Sequence, residues 1–255
     1  MVYLNNISPA SACFPGYPLE TSIKFLFEKE PTEKFIKNWN YDHIQLCPQH
    51  IGFISEKSAK EFSSKYQNTN FRLHANARLF TKLKPFDAGS NLKENEEYIH
   101  NLKKISTILC SKAYSYHAPM SDFFNWWGIR DNVLRLQDFL GIPVAIEGLY
   151  PMKKKTYWDN SLKIYETFLN GDLNYALDLS HLNIAYQQMK IVEQKEFTEL
   201  AIKMINDSKC LEIHISGNDG VHDKHTPITG DEWWFNVLEQ LTNQNAIIFC
   251  ESKQN

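Results

Sequence analysis

The chain has 255 residues, 43% of them hydrophobic and 22% charged, which is length enough for a sizeable core in one large domain or two small ones. Its 27 Lys+Arg against 30 Asp+Glu leave a formal net charge of −3, so there is no basic excess to condense on phosphate, and nucleic acid is not the expected partner. No run of about 18 apolar residues occurs, which excludes a transmembrane helix. Cys13, Cys47, Cys110, Cys210 and Cys250 are scattered without a CxxC pair, as in a protein kept reduced. The opening MVYLNNISPASACFPGYP lacks the positive start and apolar stretch of a secretory signal, so the expected compartment is the cytoplasm.

Short apolar runs recur at residues 2–4, 43–46, 71–74, 113–117, 144–147, 175–178, 211–215 and 246–251, each followed by a polar turn. Between them, 3.6-residue periodicity predicts helices over 92–109, 128–140, 160–169, 196–206 and 232–242. Strand alternating with helix implies a parallel sheet with right-handed crossovers. Eight such units in this length predict an α/β fold, a single (β/α)8 TIM barrel over residues 1–255. A doubly wound sheet would not need eight units, and no GxGxxG or P-loop pattern occurs. The run Lys153–Lys155 reads as a solvated loop, and the pairs Trp126–Trp127 and Trp233–Trp234 as helix or core packing.

In a barrel, the strand C-terminal ends converge on the face where active sites sit. Six of the eight runs end in a residue type that ligates metals. The third ends in His74, the fourth in His117 and the fifth in Glu147. Asp178 ends the sixth, with His181 one turn on; His214 ends the seventh, with Asp223 and His225 on its loop; Glu251 ends the eighth. Four carboxylates and five imidazoles thus converge with no Lys or Arg among them. Burying unpaired carboxylates costs several kcal/mol each, so a compensating cation is needed. Two or three metal ions at the C-terminal face supply it, bridged by Glu147 or Glu251. The alternative is a metal-free hydrogen-bonded network. Histidine and carboxylate serve iron, zinc and manganese alike, with iron the first expectation and Zn or Mn the others. His222 reads as a loop neighbour of this set, and His43, His50 and His100 as structural or surface residues.

These residues resemble the xylose-isomerase-like TIM-barrel superfamily over residues 71–252. The segment NVLRLQDFLGIPVAIEGLY at 132–150, with LHANARLFTKLKPFD and YSYHAPM, is similar to the multinuclear non-heme iron-dependent oxidative enzymes, such as the methanobactin-biosynthesis oxidase. That resemblance implies that His74, His117, Glu147, Asp178, His181, His214, Asp223, His225 and Glu251 hold two or three irons. With dioxygen, the irons would oxidise a cysteine of a ribosomally made peptide, delivered by a peptide-recognition partner protein. His181 stands where that family often has Asn, and the nine positions from His214 to Asp223 make a shorter loop than is usual there. HISGNDGVHDKHTPI also resembles the sugar isomerases and epimerases, with Gly217 where an Asp is common. In that case Glu147, Asp178, His214 and Glu251 would hold one metal. Glu147 and Glu251 would then act as acid and base on a small-molecule substrate. Glu147, Glu251 and Asp178 are accordingly the catalytic candidates. A third resemblance, of DLSHLNIA to endonuclease IV, has counterparts for all nine ligands but lacks that family's glycine-rich first strand.

Overall fold

The structure, a computed structural model, describes residues 4–48, 53–75, 86–119, 125–150, 162–189 and 193–254. Its strands are β1 (Ile7–Pro9), β2 (His43–Leu46), β3 (Asn70–His74), β4 (Tyr114–His117), β5 (Val144–Glu147), β6 (Asn174–Asp178), β7 (Cys210–Ile215) and β8 (Ile247–Cys250). They pair in parallel in the order β1-β8-β7-β6-β5-β4-β3-β2. A further parallel bridge from Ala10 to Gln45 brings the end of β1 onto β2 and closes the ring. Around it lie α1 (Leu19–Glu28), α2 (Glu56–Lys65), α3 (Glu96–Ile108), α4 (Trp126–Leu140), α5 (Leu162–Asn170), α6 (Leu179–Met189), α7 (Gln194–Asn206) and α8 (Phe235–Leu238). The fold is a (β/α)8 barrel, as the eightfold alternation predicts. Among the described residues no helix is long and apolar enough to cross a membrane.

Local chemistry sets the element ends. The Asn125 side chain accepts from Gly128 N at 3.2 Å and starts α4. Gly141, at φ 67°, ends it by a left-handed turn that costs glycine nothing. Between these caps Ile129, Val133, Leu136 and Leu140 bury one face against the barrel; each such side chain contributes about 1.5–3 kcal/mol relative to exposure.

Two elements depart from the sequence expectation. The first strand is Ile7–Pro9, not 2–4: Leu4 makes one bridge, to Ile36, and residues 1–3 lie outside the described set. Asn6 sits at φ 59° and turns the chain before β1, so the first apolar run cannot continue into the sheet. The last helix is one turn, Phe235–Leu238, rather than 232–242. Glu232 spends its carboxylate on the N–H groups of Thr229 and Gly230, at 2.7 and 2.8 Å. Asn206 Oδ1 accepts from Thr242 N at 2.6 Å and draws the chain off the helical path. Residues 160–161 of the predicted fifth-strand helix and Lys153–Lys155 lie outside the described residues. Trp126, Trp233 and Trp234 pack on Phe168, Phe197 and Phe235, but Trp127 is 73% exposed and packs no core.

Inside the ring, the two-residue strand period stacks side chains in layers. Gln45, Arg72, Ser115 and Glu212, from β2, β3, β4 and β7, meet at the centre. Two residues further along β3, β4 and β7 stand His74, His117 and His214, at the open C-terminal end. A one-residue slip of any strand would turn its donor out of the barrel.

Candidate metal centre

The structure brings all nine donors predicted from the sequence to one place. Glu147, at the end of β5 and 1% exposed, is the hub. Its Oε2 lies 2.6 Å from His74 Nε2, 3.6 Å from His214 Nδ1 and 3.7 Å from His117 Nε2. Its Oε1 lies 3.2 Å from His181 Nδ1. From His214 Nδ1 the contacts run on to Glu251 Oε1 at 3.6 Å, and from Glu251 Oε2 to His225 Nδ1 at 3.5 Å. His225 Nε2 meets Asp223 Oδ1 at 3.0 Å, and Asp223 Oδ2 meets His181 Nε2 at 3.3 Å. Glu147, His214, Glu251, His225, Asp223 and His181 therefore form a closed ring of alternating carboxylate and imidazole.

Asp178 attaches to this ring through the helix that follows it. Its Oδ1 accepts from Ser180 N at 2.6 Å and His181 N at 2.9 Å, capping α6. Oδ2 is left facing the site, 3.8 Å from His181 Nε2. The cap also fixes His181 in the first turn of α6. On the other side, the loop carrying Asp223 and His225 is pinned by a two-way bridge between Gly217 and Thr226, both bonds 2.9 Å. A Cβ at Gly217 would come within 2.5 Å of Pro227 O, so the close approach requires glycine. His225 itself adopts φ 47°, a left-handed conformation that costs a non-glycine residue roughly 1–2 kcal/mol.

The ring nitrogens are sorted. His74 Nδ1 donates to Ala75 O at 2.6 Å, His181 Nδ1 to Gly148 O at 3.0 Å and His225 Nδ1 to Glu251 O at 3.1 Å. Each therefore turns Nε2 into the site, the usual arrangement behind a metal-ligating imidazole. Three buried atoms there have no hydrogen-bond partner: His181 Nε2, His214 Nδ1 and Asp223 Oδ1. Donor atoms of His74–His117–Glu147, of His74–His214–Glu251 and of Glu147–Asp178–His214 lie within 4.8 Å of one another in each set. Orphaned lone pairs and overlapping hard-donor sets fit metal ions. Seven of the nine, all but Asp178 and His214, line a cavity of about 90 Å³ with Cys47 and Lys253 at its wall. A larger cavity, about 590 Å³, opens at the opposite, N-terminal ends of the strands.

Without metal, protons take up part of the cation's role. Burial pushes the His74, His181 and His214 imidazoles down, but the surrounding carboxylates, joined at His74 by a contact with Cys47, outweigh it and hold all three well above the ordinary value. Against the same opposition from burial, Asp223 raises His225 to about 9. His117 goes the other way, to about 4, because burial dominates. Burial and the neighbouring acids raise Asp178 to about 6, with His181 opposing. Glu147 is held well below the carboxylate range by His117 and His214 despite its burial.

The barrel interior also holds an arginine. Arg72 Nη1 lies 3.3 Å from Glu212 Oε1 in the layer beneath the donors. It compensates Glu212, a further buried acid that the strand-end reading passed over, rather than the four carboxylates above. Burial works against the Glu212 charge, but His214 and Arg72 hold its carboxyl at about 2. The signal was present in the sequence: Arg72, Ser115 and Glu212 stand two positions before His74, His117 and His214. His222 is exposed and pairs with Asp219 at 3.1 Å, outside the site. His43 opens β2, at the far end of its strand from the donors, His100 is exposed against Phe139, and His50 lies outside the described residues.

No family model matches the chain, and no curated protein matches it by sequence. Solved structures do match in fold. A D-tagatose 3-epimerase-like protein superposes with a TM-score of 0.65 at 17% identity, over 98% of this chain and 91% of that one. An AP endonuclease of family 2 from Brucella melitensis gives 0.61 at 13% identity, over 99% and 94%. The IOLI protein with a bound zinc atom gives 0.57 at 11% identity, over 97% and 88%. The neighbours share the barrel fold. None of the three is described as an oxidative enzyme.

Proposed function

We propose that this chain is a metal-dependent enzyme whose site holds more than one metal ion at the mouth of the barrel. The observation that carries the reading is the closed ring through Glu147, His214, Glu251, His225, Asp223 and His181, with orphaned buried nitrogens on two of its members. A single ion takes about three to six protein donors, so nine are more than one ion uses. Bound there, the ions would polarise substrate oxygens or depress a substrate thiol, and iron would also exchange electrons. The chain's own part is to hold the substrate against the ring and exclude water. Glu147 is committed to four imidazoles, so Glu251, nearer the mouth and facing two, is the better placed carboxylate to take a substrate proton.

Two reactions fit this site. Iron-dependent oxidation of a cysteine in a ribosomally made peptide uses all nine donors and is supported by the likeness of residues 132–150. Isomerisation or epimerisation of a sugar needs only Glu147, Asp178, His214 and Glu251, and the structural neighbours lend more support to it than to the oxidation. A nuclease reading draws on the endonuclease neighbours, but the overall acidity does not help it. Metal analysis of anaerobically purified protein separates them. Two or three irons per chain support the oxidative reading. One zinc or manganese with isomerisation of a ketose supports the second and overturns the inference of more than one ion, and zinc-dependent cleavage of abasic-site DNA supports the third. A chain that takes up no metal overturns the proposal altogether.

A further inference from the structure

The histidines of the site are not oriented alike. His74, His181 and His225 each give Nδ1–H to a backbone carbonyl. His214 is reversed: Nδ1 points into the site, 3.6 Å from both Glu147 Oε2 and Glu251 Oε1, with no hydrogen bond. Its Nε2 points down into the barrel, where among the described residues it meets side chains and no backbone carbonyl. Two side chains compete there. Glu212 Oε2, an acceptor, lies 3.3 Å away, and Gln45 Nε2, a donor, lies 2.8 Å away. The two demand opposite tautomers. Gln45 needs a lone pair on Nε2, which puts the proton on Nδ1 and blocks a metal. Glu212 needs the proton on Nε2, which frees the Nδ1 lone pair.

We propose that Glu212 is a positioning residue for the metal centre: it accepts Nε2–H of His214 and so presents Nδ1 to the metal. The inference rests on the metal reading above. Glu212 is suited to the part because it is fully buried and held at each oxygen: Arg72 Nη1 lies 3.3 Å from Oε1 and Ser115 Oγ donates to Oε2 at 2.8 Å. These two come from two other strands and fix both of its oxygens without Gln45. The carboxylate cannot swing away to solvent, and an acceptor in this place does for His214 what the carbonyls do for the other three. Gln45 Oε1 has no partner, so Gln45 is the less constrained of the two competitors.

The test measures Zn2+ affinity of the full chain by chelator competition, beside thermal unfolding of the metal-free protein. Glu212→Gln is expected to weaken one Zn2+ by about 10–100-fold. Gln45→Leu, which removes the competing donor, is expected to leave that affinity unchanged or tighter. In Co2+-loaded protein, the paramagnetically shifted His214 ring N–H should exchange slowly in the wild type and rapidly in Glu212→Gln. Should Glu212→Gln not fold with Arg72 left unpaired, the double variant Arg72→Met/Glu212→Gln removes the buried pair together and is expected to show the same loss. Wild-type affinity in a folded Glu212→Gln or double variant overturns the inference while leaving the metal reading standing. Equal weakening by Glu212→Gln and Gln45→Leu also overturns it, since that is what loosened packing would do. A wild type that binds no Zn2+ overturns the metal reading, and this inference with it.

Discussion

His181 Nε2 lies 3.3 Å from Asp223 Oδ2 and so ties the first turn of α6 to the loop after β7. This contact closes the ring. Without it the loop donors Asp223 and His225 would hang from Glu251 alone. Asp223→Ala is therefore expected to lower the metal content below that of wild type while Glu147, Asp178, His214 and Glu251 keep theirs. Elemental analysis of the two proteins, purified side by side, checks it. Equal content would mean that the site is the four-donor, single-metal kind.

Gly217 decides whether the loop closes properly. Restoring the Asp that is common at this position in the sugar isomerases should work against this chain, because any Cβ there meets Pro227 O and the Thr226 side chain. Gly217→Asp and Gly217→Ala should both release Asp223 and His225. The expected readout is metal loss resembling that of Asp223→Ala, with the barrel still folded by circular dichroism. An unchanged metal content would show that the Gly217–Thr226 bridge does not position the loop.

Gly148 follows the hub Glu147 and gives its carbonyl to His181. A Cβ there would overlap the ring of Tyr165, which is fully buried and bonds Leu149 O at 3.1 Å. Overpacking of this kind costs about 1–3 kcal/mol. Gly148→Ala should lower the urea midpoint accordingly and weaken metal binding, since the clash displaces the backbone carbonyl that holds His181. Gly16, with nothing within 4 Å but φ 92°, is the control: Gly16→Ala should destabilise through backbone strain and leave metal binding unchanged.

The metal-free protein should lose stability as pH rises. His225 is raised to about 9 in the folded chain, against about 6.5 unfolded. A histidine raised by folding contributes its full stabilisation below the unfolded value and loses it as pH climbs through the folded one. His74, His181 and His214 are raised in the same direction. His117, at about 4, is neutral in the folded chain throughout this window and half protonated in the unfolded chain at pH 6.5, so it opposes the trend only at the acid edge. Chelated protein should thus melt at lower temperature at pH 9 than at pH 6.5. Added Zn2+ should shift the melting point most at the alkaline end, where fewer protons must be displaced. A melting point that stays flat or rises across the window contradicts the protonated network.

Much of the site was legible because strand ends are legible. A run such as VAIE, apolar and then acidic, places Glu147 at the end of β5 whatever the rest of the chain does. Boundaries set by distant partners were not. The shortened α8 depends on Asn206, on another helix, taking the N–H of Thr242. The misplaced first strand depends on a left-handed Asn6, which apolar periodicity does not register.

The sequence by itself determined the eightfold alternation, hence the barrel, and marked the nine carboxylate and imidazole side chains that gather at its C-terminal end, since strand period and helix period are local properties. Only the tertiary structure decided who faces whom. Arg72 and Glu212 stand 140 positions apart and meet because β3 and β7 face each other across the ring. His214 reads in the sequence like the other strand-end histidines. Its reversed ring follows from a carboxylate beneath it where they have carbonyls beside them. Orientation depends on strand register and on side chains from four strands converging at the barrel axis, and no stretch of chain contains that information alone.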